Sequence, residues 1–131
     1  FFSLDANAGI LNWKQNINST LRPTLIDNLI FTISNEGFLV VIDKSNGNIL
    51  RMTNVFDIFR KKKRSKIKPE GFVIGNKNIY LTTSNGRLLV IDLASGKTTN
   101  VLKIDGEKVS RPFVLGKNMF IIKNNAIIKL N

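Results

Sequence analysis

Ser3-Leu4-Asp5-Ala6-Asn7-Ala8-Gly9 is the stretch of sequence that decides the fold, because the same pattern returns at 41–47 and at 90–96. Each copy holds an apolar residue, an Asp, three variable residues and a Gly. That order is typical of a strand that ends in a tight turn, and the Gly is expected to take a positive φ that a side chain would strain. A repeat at this scale predicts the architecture of the whole chain before any single residue is considered.

The spacing of the repeated Asp predicts the blades of a β-propeller. Asp5 and Asp43 are 38 residues apart, Asp43 and Asp92 are 49 apart, and Asp92 and the matching Asn131 are 39 apart. Short β-branched and aromatic segments, separated by Asn-Gly and Gly turns, supply four strands in each interval. Four strands in about 40 residues is the period of a propeller blade. We therefore predict an all-β fold, a partial β-propeller of about three four-stranded antiparallel blades.

The intervals divide the chain into five segments. In chain order we expect a blade remnant at 1–14, a blade at 22–53, a basic insertion at 54–68, a blade at 69–105 and a three-stranded last blade at 111–131. The last blade lacks an outer strand, which the opposite terminus usually supplies in a closed propeller. Asn131 is therefore expected near a natural C-terminus, with earlier blades missing from this chain. Open sheet edges also predict self-association with another copy.

The composition argues against catalysis. The 131 residues include no Cys and no His, which removes thiol nucleophiles, thiolate and imidazole metal ligands, and the commonest general base. We interpret Asp5, Asp43 and Asp92 as turn caps whose carboxylates accept backbone N–H groups, with catalysis as the alternative. The expectation is a non-enzyme that holds no cofactor or metal ion. No run of 18 apolar residues is present, so no spanning helix is expected.

The net charge of +11 favours anionic partners, and it is concentrated in the 54–68 insertion. Seven of the nine residues from Arg60 to Lys68 are basic, and a hydrophobic stretch, 55–59, comes just before them. The candidate partner-binding residues in this run are Arg60, Lys61, Lys62, Lys63 and Arg64.

Four interpretations of the insertion remain open. The first is a solvated inter-blade loop, in which Val55 and Phe56 finish the strand or pack on the sheet edge. The second is a segment that dips Phe56 and Phe59 into a membrane while its cations meet anionic lipid. The third is a docking loop for an acidic protein patch. Nucleic acid is the least favoured partner, because no stacking aromatic residues are interleaved with the cations.

A basic residue also stands directly before the Pro that opens each blade. These residues are Arg22, Lys68 and Arg111. Their recurrence predicts a positive ring on one face, near the start of each inner strand, that binds an acidic partner. The alternative is that each caps strand carbonyls near the axis.

The segment from Ser3 to Trp13 resembles the repeat of the PQQ-type β-propellers, whose pattern is roughly A-L-D-A-x-T-G-x-x-x-W. The match is close at Leu4, Asp5, Ala6, Gly9 and Trp13. In that family the Trp packs between neighbouring blades, and Trp13 is expected to do the same. Arg51 and Asn100 stand where the other repeats would have this Trp.

The resemblance implies one of two kinds of protein. The favoured branch is the non-catalytic outer-membrane assembly lipoprotein of the BamB type, which implies a bacterial periplasmic scaffold at the inner face of the outer membrane and a protein partner in the β-barrel assembly machinery. The other branch is the quinoprotein dehydrogenases, which hold PQQ and Ca²⁺ at the propeller axis. A membrane-surface or anionic-partner binding module is a third class.

Overall fold

The computed structural model describes residues 1–130 and is built almost entirely of short antiparallel strands. The strands are β1 Phe2–Leu4, β2 Leu11–Lys14, β3 Thr24–Ile26, β4 Leu29–Ile33, β5 Phe38–Asp43, β6 Ile49–Asn54, β7 Pro69–Ile74, β8 Asn78–Thr83, β9 Arg87–Asp92, β10 Thr98–Lys103, β11 Phe113–Leu115, β12 Asn118–Lys123 and β13 Ala126–Leu130. One helix, α1, spans Lys61–Arg64 within the basic insertion. The repeat position at Asn131 lies outside the described residues.

The strands form four separate antiparallel sheets. Their orders are β1-β2, β3-β4-β5-β6, β7-β8-β9-β10 and β11-β12-β13, so each sheet is a simple meander. The two four-stranded sheets also share one register, because Leu29 lies opposite Asp43 and Asn78 lies opposite Asp92. The all-β fold class predicted from the repeat is confirmed.

The three repeated turns are built alike, as the recurrent Asp and Gly predict. The carboxylates of Asp5, Asp43 and Asp92 each accept a backbone N–H two or three residues further on, at 2.8–2.9 Å. The Gly four residues after each Asp has a φ of 68°, 76° or 74° and donates its N–H to the carbonyl of that Asp. The carboxylates therefore act as turn caps in all three copies.

The core lies between sheets, and β5 shows why the strands are so apolar. Leu39 and Val41 join a cluster shared with the β7–β10 sheet, whereas Val40 and Ile42 pack with Trp13 of the β1-β2 sheet. Because successive side chains of a strand point to opposite faces, a strand covered on both sides needs apolar residues at every position. Stacking of blade on blade thus explains the continuous hydrophobic run in β5.

The ends of the strands define two faces of the molecule. The repeated Asp turns and the turns between first and second strands lie at one end, which we name the Asp-turn face; Lys44 N–H donates to Asn28 O and Leu93 N–H to Lys77 O there. The segments that join one blade to the next lie at the other end, named the connection face. There, Ser84 N–H donates to Lys68 O.

Candidate interaction surface

The positive charge lies almost entirely on the connection face. The Asp-turn face carries four basic and four acidic residues, whereas the connection face carries fourteen basic and five acidic ones. The basic residues of the connection face are Lys14, Arg22, Arg60, Lys61, Lys62, Lys63, Arg64, Lys66, Lys68, Arg87, Lys103, Lys108, Arg111 and Lys123. Segregation of this kind produces a strong local potential for anions on one side of a protein.

The basic insertion is fixed at both ends by the core. Val55 and Phe56 are fully buried and Ile67 is nearly so, and all three belong to the cluster between the two four-stranded sheets. The Val55 carbonyl also accepts a hydrogen bond of 2.7 Å from Thr98 Oγ1. At the far end, Lys68 N–H donates to Ser84 Oγ at 2.9 Å. The segment between these anchors is consequently held against the connection face.

The structure contradicts the insertion of Phe56 into a membrane, which one interpretation of the segment requires. Phe56 has no exposed surface, and Phe59 packs edge-on against it with ring centroids 5.7 Å apart. Packing in the inter-blade cluster is the physical reason, because the Phe56 ring is already buried among apolar side chains and gains nothing from a bilayer. Phe59 is half-buried against the same cluster. The hydrophobic half of the insertion belongs to the core, as the solvated-loop interpretation expects.

Arg64 differs from the other cations of the insertion because it is used structurally. Its Nε donates to Phe59 O at 2.9 Å, and its Nη2 lies 3.1 Å from a carboxylate oxygen of Asp57. Lys61, Lys62 and Lys63 are exposed on α1, and none of them takes part in an ion pair among residues 1–130. The sequence pattern alone does not separate these two groups of cations.

Arg22, Lys68 and Arg111 all lie on the connection face near the start of an inner strand, and all three are exposed. By strand register Arg22 and Arg111 occupy the same place in their sheets, where the β7–β10 sheet has Gly71, and Lys68 lies three residues earlier. A side chain at Gly71 in β7 would clash with the aliphatic stem of Arg111, so that stem crosses the inner strand of the neighbouring sheet. None of the ion pairs in the described chain involves these three residues. The structure therefore leaves their charges available at the start of the inner strands.

Acidic residues on this face are mostly neutralised by cations close by. Asp105 pairs with Lys123 at 2.7 Å, and Glu70 pairs with Lys108 at 3.2 Å. The hydrogen bond from Lys123 lowers the pKa of Asp105, and the Gly106 N–H lowers it further. Internal pairing uses some cations, but the exposed lysines of α1 are not among them.

Trp13 packs between two sheets as the repeat predicts. It is 9% exposed, and its Nε1 donates to Lys44 O at 2.8 Å in the next sheet. A Cβ at Gly47 would lie 2.5 Å from Cδ2 of the Trp13 ring, so this Gly makes room for the indole.

Arg51 has a role that sequence reasoning missed. It stands eight residues after Asp43, as Trp13 stands eight residues after Asp5, and its Nη2 donates to Leu93 O at 2.9 Å in the following sheet. Leu93 directly follows Asp92, just as Lys44 directly follows Asp43. Arg51 therefore makes the polar contact of the missing Trp, and the shared spacing is the signal that could have identified it.

Two grooves lie at the junctions between sheets. One of about 580 Å³ is lined by residues of β6, the insertion and the 96–98 turn, and one of about 270 Å³ contains Phe1, Trp13 and Ile30. Among residues 1–130, no group of three or more Asp, Glu, His or Cys side chains is arranged to hold a metal ion. Within the same range, no helix is long and apolar enough to cross a bilayer.

The fold is that of β-propellers of known structure. BamB from Moraxella catarrhalis matches with a TM-score of 0.66 and 13% identity, over 92% of this chain and 34% of BamB. The β-propeller domain of Cps50 (Swd1) from Myceliophteria thermophila matches with a TM-score of 0.60 and 13% identity, over 73% of this chain and 32% of that one. Quinohemoprotein alcohol dehydrogenase from Comamonas testosteroni matches at 0.60 and 16% identity, over 80% and 17%.

These likenesses confirm, at the level of fold, the predicted resemblance to PQQ-type and BamB-type propellers. The chain spans about a third of the length of the first two structures and less of the third. No family model and no curated protein sequence matches the chain. The four sheets are accordingly part of a β-propeller.

Proposed function

We propose that this chain is part of a non-catalytic propeller scaffold that makes protein–protein contacts in outer-membrane β-barrel assembly, in the bacterial periplasm. The observation that carries the proposal is the shared fold with BamB over 92% of the chain. The three repeat carboxylates support a non-catalytic role, since each is occupied by backbone N–H groups of its own turn. A scaffold needs surfaces rather than reactive groups, and this chain offers a charged one.

The contact surface in this proposal is the positive ring formed by Arg22, Lys68 and Arg111 on the connection face. Their charges are exposed and unpaired among the described residues, so they suit an acidic patch on a protein partner. Electrostatic complementarity of this kind raises association rates and is weakened by salt.

The test is charge reversal within the protein that contains this chain. Arg22→Glu with Arg111→Glu should weaken binding to the purified β-barrel assembly machinery at least tenfold, with the largest effect at low salt. Lys44→Glu with Lys117→Glu changes the net charge equally on the Asp-turn face and should leave affinity within a factor of two or so. If the Arg22→Glu, Arg111→Glu variant bound the assembly machinery as tightly as the unmodified protein, the positive ring would not be the contact surface.

A quinoprotein dehydrogenase is the second candidate, because quinohemoprotein alcohol dehydrogenases share the fold over 80% and 83% of the chain. Addition of PQQ and Ca²⁺ to the protein separates the two functions. A bound quinone absorbance together with alcohol-dependent dye reduction would establish the enzyme, whereas a scaffold gives neither signal.

A further inference from the structure

The basic projection, defined as residues 60–66, is the most strongly charged exposed segment of the chain. We infer that this projection binds the surface of a bilayer containing anionic phospholipids. The inference concerns residues other than the positive ring and goes beyond the proposed protein contact. Its ligand chemistry is the phosphate-bearing headgroup, presented as a charged plane.

The first support is rigidity. The buried pair Val55 and Phe56 precedes the projection and the buried Ile67 directly follows it, so the core holds the chain on both sides. Arg64 closes the loop through hydrogen bonds to the carbonyls of Phe59 and Asp57. A flexible tail would lose more conformational entropy on binding than a segment already ordered in this way.

The second support is uncompensated charge. Arg60, Lys61, Lys62, Lys63 and Lys66 are exposed, and no ion pair in the described chain involves them. Asp57 is the acidic residue nearest in sequence, and Arg64 already pairs with it at 3.1 Å. Each Lys or Arg close to an anionic leaflet strengthens binding about fivefold, so adjacent cations act together.

The third support is the chemistry of the side chains. The ammonium group of a lysine is a compact, hydrated point charge, whereas the planar guanidinium of an arginine is shaped to bind a single carboxylate. Consecutive lysines therefore suit the diffuse negative charge of lipid headgroups. Recognition of single-stranded nucleic acid uses exposed aromatic faces on which the bases stack, but Phe56 is buried and Phe59 packs on the core. Ile58 is instead 55% exposed beside the projection and can enter the headgroup region.

The experiment is co-sedimentation of the protein with vesicles. Phosphatidylcholine vesicles containing one third phosphatidylglycerol should bind it, whereas pure phosphatidylcholine vesicles should not, and added salt should release the protein. Lys61→Gln, Lys62→Gln and Lys63→Gln combined should lower the partition coefficient about a hundredfold, since each lost charge is worth about fivefold. These exposed side chains pack against nothing in the core, so thermal unfolding should be unchanged.

A matched variant on the opposite face gives the control. Lys44→Gln, Lys77→Gln and Lys117→Gln remove the same charge from the Asp-turn face and should reduce binding only a few-fold. Equal losses in the two triple variants, or no binding to anionic vesicles, would overturn the inference.

Competing polyanions complete the test. A DNA duplex or polyglutamate that binds more tightly than the vesicles at equal salt, with the same sensitivity to the three α1 lysines, would assign the projection to nucleic acid or to an acidic protein and overturn the lipid inference. Vesicle binding that survives Arg22→Glu with Arg111→Glu would show that it is independent of the protein contact proposed above.

Discussion

The junction between the β1-β2 sheet and the β3–β6 sheet differs sharply from the next junction along the chain. At the first, Trp13 supplies both an apolar ring against Gly47 and an N–H donor to Lys44 O. The buried core there is small, with Val40 and Ile42 as the other members. One indole therefore provides both packing and a polar contact, beside a second hydrogen bond from Gln15 Nε2 to Gly47 O at 2.6 Å.

At the second junction these two roles are divided. Arg51 supplies the donor, through Nη2 to Leu93 O and Nη1 to Ala94 O, whereas Thr53 occupies the space beside Gly96. The packing comes from a larger cluster to which the insertion contributes Phe56.

The comparison teaches that the position eight residues after the repeat Asp can reach a carbonyl of the next blade without being aromatic. At the third copy this position is Asn100, which is exposed and whose Oδ1 accepts the N–H of Val101 in its own strand. A hydrogen bond fixes the angle between blades, and any sufficient apolar volume keeps water out. The insertion thus has a buried half, which includes Phe56 and supplies the packing that a Trp would give, and an exposed half, which carries the charge of the α1 lysines.

The largest loss of stability is expected when the buried aromatic side chain of the insertion is removed. Phe56→Ala should destabilise the protein by about 4 kcal/mol, because a fully buried ring between two sheets leaves a cavity that neither sheet can close. Urea unfolding measures the change, with Ile58→Ala as the exposed control from the same segment. A loss below about 1 kcal/mol would mean that the insertion does not hold the second junction.

A substitution at Gly47 tests the packing of Trp13 between the β1-β2 and β3–β6 sheets. Gly47→Ala should cost about 3 kcal/mol, since a Cβ at φ 76° is strained and also meets the indole ring. Gly9→Ala is the matched control: its φ is 68° and nothing lies within 4 Å, so about 1 kcal/mol of backbone strain is expected alone. Equal losses in thermal unfolding would contradict the packing of the ring against Gly47.

The smallest effect is expected at Arg51. Arg51→Met keeps the aliphatic stem but loses both donors, which should cost about 1.5 kcal/mol in urea unfolding. Hydrogen bonds from Ser95 lower the pKa of Asp92, and the charge of Arg51 lowers it further. The variant should therefore raise the pKa of Asp92 toward its usual value, as followed by NMR titration.

Asp43 provides the control for that titration. Hydrogen bonds from Ser45 lower its pKa, and Arg51 is not among the causes, so the variant should leave it unchanged. A lowered pKa in the folded state contributes stability above the unfolded value, near 4, that is lost as the pH falls through the folded value. Loss of the Arg51 charge should shrink that contribution at Asp92 only. A parallel shift at both aspartates would indicate a general change of structure instead.

Much of the fold was predictable because turn chemistry is local. The Asp carboxylate, the N–H groups that it caps and the Gly with positive φ all lie within five residues, so their pattern is readable in the sequence. The positions of Arg51 and Phe56 were not readable in this way. Arg51 meets carbonyls 42 and 43 residues away, and Phe56 is buried by strands of two different sheets.

The sequence by itself determined the repeated strand-and-turn unit, the absence of Cys and His, and the charge of +11. Tertiary structure alone decided that nearly all of this charge faces one way and that an arginine serves where the repeat has a tryptophan. It also decided that Arg64 pairs with Asp57, whereas the α1 lysines form no ion pair within residues 1–130. The physical reason is range: hydrogen bonds within a turn depend on neighbours in sequence, whereas packing and charge segregation depend on how distant blades stack.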